Sequence, residues 1–156
     1  MDKMNKKYIL MSLVLFLTII VLGGCFTKKS ITSSEFKNIM EKNGYTISEN
    51  QEEHDFDGVD ESFLAVKTDK YQIEFYTFNQ EILAEGFFEE KVNEFVSLED
   101  GNNIKTSQQG SNYKTYSITT EDVYAYISRI DDTLLYVNVD KEYKDEVQTT
   151  IKELNY

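Results

Sequence analysis

Between Tyr113 and Val139 three apolar-rich runs follow one another, Tyr113 to Thr119, Val123 to Ile130 and Leu134 to Val139, broken only by Thr120-Glu121-Asp122 and Asp131-Asp132-Thr133. Connections that short cannot carry a crossover, so the three runs are forced into an antiparallel meander. Any fold of this chain has to accommodate that block. The chain has a single cysteine, Cys25, and no proline or tryptophan, so no disulfide within the chain holds the meander and a hydrophobic core must do so. Ten Phe and 11 Tyr in 156 residues supply that core and are incompatible with a disordered polymer.

The rest of the chain divides by the same signals. Thr32-Ser33-Ser34-Glu35 has the form of a capping box, with Phe36, Ile39 and Met40 at helical spacing up to Asn43-Gly44, which predicts a helix over 34–43. Tyr45 to Ser48 follows as a strand or extended segment. Ser62 to Thr68 and Tyr71 to Phe78, separated by Asp69-Lys70, predict a hairpin. In its second run Tyr71, Ile73 and Phe75 share one face and Gln72, Glu74 and Tyr76 the other, the pattern of a half-buried strand. Asn79 can cap the next segment, where Ile82, Leu83, Phe87, Phe88, Val92, Phe95 and Val96 recur every three or four residues, a helix over 80–98 with Gly86 inside it. Gly86 there offers room for a neighbouring backbone. Glu99 to Gly110 is polar and turn-rich and reads as a connection. Asp140 caps a last helix carrying Tyr143, Val147, Ile151 and Leu154. The expectation is an α+β fold: one antiparallel sheet of about five strands with three helices on one face, in two layers.

Upstream of the domain lies a different kind of segment. Lys3, Lys6 and Lys7 precede an uncharged run from Tyr8 to Leu22, and the run ends in Leu22-Gly23-Gly24-Cys25. Fifteen residues fall short of the roughly 20 that a permanent transmembrane helix requires. An aliphatic residue, two small residues and a cysteine at the end of such a run resemble the lipobox of bacterial lipoprotein precursors, over residues 1–25 only. The resemblance implies cleavage between Gly24 and Cys25, a diacylglyceryl group on the Cys25 thiol, fatty acylation of the new amine and residence on the extracytoplasmic face of the cell membrane. The alternative is an uncleaved anchor in which Cys25 is incidental. Residues 1–24 are then a removed signal peptide, 25–33 the lipidated cysteine and its tether, and 34–156 one domain. Lys28 and Lys29 fall where anionic headgroups would attract them, by about 1 kcal/mol each.

Charge narrows the partners. Residues 30–156 hold 11 basic and 27 acidic residues, a net of −16. Such a field repels nucleic-acid backbones and anionic lipid alike and favours a cationic peptide or protein. Glu53, Asp55 and Asp57, followed by Gly58, have the alternating carboxylates of a calcium loop, but its twelfth position is Leu64 rather than a bidentate Glu, so the plain reading is a solvated acidic loop. His54, the sole imidazole, has no second nitrogen or thiolate nearby to make a metal site. Tyr113, Tyr116, Tyr124, Tyr126 and Tyr136 on the meander are a candidate ligand surface. Tyrosine on a half-wet strand, with ring packed and hydroxyl in water, explains them equally. No catalytic motif and no cofactor other than the lipid on Cys25 emerges. The expected role is a non-enzymatic binding or accessory module, with a small cell-wall hydrolase or a structural part of an envelope or export complex as alternatives.

Overall fold

The computed structural model describes residues 27–50 and 58–156. The first helix, α1 (Ser33–Lys42), begins at Thr32, whose hydroxyl accepts from the Glu35 amide while the Glu35 carboxylate accepts from the Thr32 amide at 2.8 Å. It ends at Asn43, and Gly44 takes φ +78, a conformation that costs a residue with a Cβ. The chain then runs through β1 (Thr46–Glu49), β2 (Val59–Lys67), β3 (Tyr71–Phe78), α2 (Glu81–Val96), β4 (Ile104–Gln109), β5 (Tyr113–Thr119), β6 (Val123–Ile130), β7 (Thr133–Asp140), a 3₁₀ turn at Lys141–Tyr143 and α3 (Lys144–Glu153).

All seven strands form one antiparallel sheet in the order β1-β2-β3-β7-β6-β5-β4. The sheet is two meanders, β1 to β3 and β4 to β7, joined where β3 pairs with β7 from Ile73↔Val137 to Thr77↔Thr133. Seven strands replace the five expected. The addition the sequence hid is β4, whose six residues are all exposed, so no face of it shows a hydrophobic period. As an edge strand it is paired on one side only.

The helices do not share a face. On one side α1 and α3 bury Phe36, Met40, Val147 and Ile151 against Ala65, Ile73, Phe75, Leu135 and Val137, with Phe36 stacked on Phe75 at 4.6 Å. On the other, α2 buries Ala84, Phe87, Phe88 and Phe95 against Tyr76, Phe78, Ile118, Ala125, Ile127 and Leu134. The fold is therefore α+β with three layers rather than two. Two-sided burial explains why β6 and β7 are apolar at consecutive positions: Tyr124 and Ala125, then Leu134 and Leu135, are buried as neighbours facing opposite layers. The same holds in β3, where Phe75 looks to the α1 layer and Tyr76 to α2.

Two caps differ from expectation. α2 is capped by Gln80, not Asn79, with no side-chain hydrogen bond, and Asp140 precedes the 3₁₀ turn without accepting a capping bond. Gly86 lies exposed on α2, with no atom within 4 Å of where a Cβ would be, so it admits no neighbouring backbone. An ionic seam fixes α2 to the sheet instead. Arg129 on β6, its side chain nearly buried, meets Glu81 at 2.9 Å and Glu85 at 2.8 Å, and Lys114 on β5 bridges Glu85 and Glu89.

Candidate functional site

The seven strands are wider than the two helices α1 and α3 can cover. These helices lie over the β1, β2, β3 and β7 side of the sheet, so the same face of β4 stays exposed and that of β5 is only partly covered, with Thr115 and Thr119 buried and Ser117 half-buried between them. Between that face and α3 runs a groove of about 390 Å³. Pairing sets its floor: Thr106↔Ser117↔Tyr126 and Gln108↔Thr115 place two short rows of hydroxyls and an amide side by side. Tyr124 and Tyr126 close it on the β6 side, and Gln148, Ile151 and Lys152 of α3 form the wall. Tyr156 and Lys28 complete one end. Lys28 and Lys152 are the charged side chains of the lining, and no Asp or Glu belongs to it.

Lys28 is held there by backbone and ring. Its amide donates to Asn112 Oδ1 at 3.1 Å, its carbonyl accepts from Asn112 Nδ2 at 2.8 Å, and its ammonium lies 5.1 Å from the centre of the Tyr113 ring. Asp131 orients the clasp, accepting from Asn112 Nδ2 at 3.0 Å. The carbonyl of Lys29 accepts from Asn155, and Ile31 packs on the α1 layer. The segment expected to be a free spacer is thus part of the domain surface from Lys28 onward. Burial lowers the pKa of Lys28.

The five candidate tyrosines do not make one surface. Tyr113, Tyr124 and Tyr126 are on the groove side, and the spacing of two that puts Tyr124 and Tyr126 on one face holds. Tyr116 and Tyr136 are on the opposite face under α2, where Tyr136 stacks on Phe95 at 5.3 Å. Burial raises the pKa of Tyr124 and Tyr136, and raises Tyr126 to about 12, so these phenols stay neutral donors at physiological pH. Residues the sequence reading missed are the small polar pair Thr115 and Ser117, with Thr106, Gln108, Gln148, Lys152 and Tyr156. Their signal was present in β5, where Thr115 and Ser117 alternate with Tyr116 and Ile118, a strand with a small polar face.

Gly24, Cys25, Glu53, His54, Asp55 and Asp57 lie outside the described residues. Gly58 is described and takes φ +93, its carbonyl accepting from the Asn79 amide. Among the described residues no group of three or more His, Cys, Asp or Glu side chains is placed to hold a metal, and no helix is long and apolar enough to cross a membrane. A hollow of about 480 Å³ at the β2–β3 turn is lined by Lys67, Asp69, Lys70 and Asp140, mixed charges on an exposed hairpin with no converging set of donors. The carboxyls of Glu35 and Asp100 both have pKa values below the usual range, held ionised by hydrogen bonds from Thr32 and from the Glu121 amide respectively. Neither is suited to hold a proton for general acid catalysis.

No known protein family matches the chain, and no curated protein matches it. Among solved structures, a GTP binding regulator from Thermotoga maritima is similar over 80% of this chain and 85% of its own, at 13% identity and a TM-score of 0.44.

Proposed function

We propose that this protein is a lipid-anchored module on the extracytoplasmic face of a bacterial membrane, that it binds rather than catalyses, and that the groove over β4 to β6 is its binding site. The observation that carries the reading is the groove itself: an open strip of hydroxyl and amide side chains bounded by tyrosines, on a rigid sheet, beside the point where the chain enters the domain. Neutral tyrosines and small hydroxyls recognise ligands by hydrogen bonding and ring contact. Anchoring rests on the run to Cys25 and on its resemblance to a lipobox.

The net charge of −16 on residues 30–156 supports a cationic protein as a second partner, held on the acidic surface away from the groove, whose charged side chains are Lys28 and Lys152. The glutamates of α2 contribute less to it than their number implies, because Glu81, Glu85, Glu89 and Glu94 are already paired with Arg129, Lys114 and Lys91. Two measurements test the proposal. Intact mass of the chain extracted from membranes is expected to show loss of residues 1–24 and a lipid adduct on Cys25, and an intact Met1 or a bare thiol defeats the anchoring. Capture of basic proteins from an extracytoplasmic fraction is expected at low salt and lost at high salt; capture that ignores salt defeats the electrostatic partner.

A further inference from the structure

The lysines of the groove, like Lys37, Lys42, Lys141 and Lys144 elsewhere among the described residues, form no salt bridge, but unlike the ones that tie the fold together they lie in a concave site. Lys67, Lys70, Lys91, Lys105, Lys114 and Arg129 each meet a glutamate. Lys28 and Lys152 line a concave site whose lining has no Asp or Glu side chain, and among the described residues neither forms a salt bridge to one. A half-buried ammonium with hydroxyls and an amide beside it and no salt-bridge partner is complementary to an anion carried by a polar body. Asp131 and Asp132 stand at the rim of the groove, Asp131 holding the Asn112 clasp and both acting on the Tyr156 hydroxyl, whereas the described acids of β1 and β2 lie four or more strand spacings from β5, about 19 Å, more than twice the roughly 8 Å screening length at physiological salt.

Lys28 also fixes where that anion comes from. It is three residues from Cys25, so its Cα lies within about 11 Å of the lipidated residue even with the chain fully extended. The Asn112 clasp prevents the domain from moving further off, because the chain is taken up by the domain at Lys28 and not at the start of α1. The groove end that holds Lys28 is therefore kept at the level of the headgroups, whose layer is about 5–8 Å deep on each side.

We propose that the groove takes the headgroup of an anionic phospholipid, with the ammonium groups of Lys28 and Lys152 on the phosphate and the headgroup hydroxyls over Thr106, Gln108, Thr115 and Ser117. This rests on the anchoring reading above for the source of the ligand. It makes the lipid chain on Cys25 and the headgroup in the groove two separate holds on the membrane, which together set one orientation, with α2 on the opposite face of the sheet pointing outward.

The test uses the chain extracted from membranes, in micelles doped with phosphatidylglycerol or with phosphatidylcholine, and counts by native mass spectrometry the lipid retained per chain. One retained phosphatidylglycerol is expected, with phosphatidylcholine retained about tenfold less. Replacing both groove lysines, Lys28→Gln with Lys152→Gln, is expected to remove the preference, while Lys42→Gln with Lys141→Gln, exposed lysines outside the groove, keeps it. Equal retention of the two lipids, or an undiminished preference in the groove variant, overturns the site. Retention of free glycerol phosphate as strong as that of phosphatidylglycerol overturns the lipid source. A chain that lacks the adduct on Cys25 removes the anchoring on which that source rests, whereas a lipidated chain that retains no phosphatidylglycerol overturns the headgroup site alone.

Discussion

Asn112 does with one side chain what a turn of backbone does elsewhere: its amide oxygen accepts from Lys28, and its amide nitrogen donates both to the Lys28 carbonyl and to Asp131. A half-buried hydrogen bond contributes about 0.5–1.5 kcal/mol net, so Asn112→Ala is expected to cost about 1–2 kcal/mol in urea unfolding. Amide exchange at Lys28 should accelerate in the same variant, and unchanged exchange there contradicts the clasp. Tyr126 gives a second residue-level expectation. Its folded pKa of about 12, set first by burial, lies above the ordinary value of 10.0, so between those values the folded state holds a proton that the unfolded state has lost. Stability from this group is complete below pH 10 and falls as pH rises toward 12. Tyr71, Tyr124 and Tyr156 are shifted the same way by burial and add to the slope. Urea midpoints are expected to be flat from pH 7 to 9 and to drop above pH 10, less steeply in Tyr126→Phe; a slope unchanged by that substitution places the titration elsewhere.

At the scale of elements, α2 carries a correctable weakness. Gly86 sits in a helix interior with helical φ and free space around its missing Cβ, so Gly86→Ala should stabilise by about 0.8–1 kcal/mol, read as a raised urea midpoint. Gly58 is the contrast. Its φ of +93 and a Cβ position that would overlap Leu83 Cδ1 make Gly58→Ala destabilising, and equal effects of the two substitutions contradict the packing of α2. Elements with a periodic pattern were legible in the sequence: β3 and β5 appear at the bounds their patterns gave, although β3 is buried on both faces rather than one, and α1 begins one residue before the bound its capping box gave. β4 was not, because a strand exposed on both faces carries no period to read, and Ile-Lys-Thr-Ser-Gln-Gln has the composition of a loop. The side on which each helix packs was also missed, although consecutive buried positions such as Leu134-Leu135 already signal a sheet covered twice. The groove was half legible. Tyr124 and Tyr126 announced a shared face, but Thr106, Gln108, Gln148 and Lys152 reach it only through pairings and a helix position that no local pattern contains.

For the whole molecule, the consequence of a sheet between two helical layers is that neither core exists without the other. The α1/α3 core and the α2 core share β3, β6 and β7, whose alternate residues face opposite layers, so loss of one layer exposes the back of the strands that hold the other. The Arg129 seam ties α2 to β6 as well, with Glu81 and Glu85 compensating a guanidinium that is itself nearly buried. Cooperative unfolding follows, and the two layers can be probed separately. Met40→Ala removes a fully buried side chain of the first core, and Phe87→Ala one of the second. Each is expected to cost about 2–5 kcal/mol. Each should shift one common transition, seen at the same urea concentration by tyrosine fluorescence and by far-ultraviolet circular dichroism, with the denaturant slope unchanged. If Phe87→Ala instead splits the curve, with an early loss of helix while the Tyr45, Tyr71 and Tyr156 environment persists to the original midpoint, then α2 is an independently melting layer and the sheet is held by α1 and α3 alone.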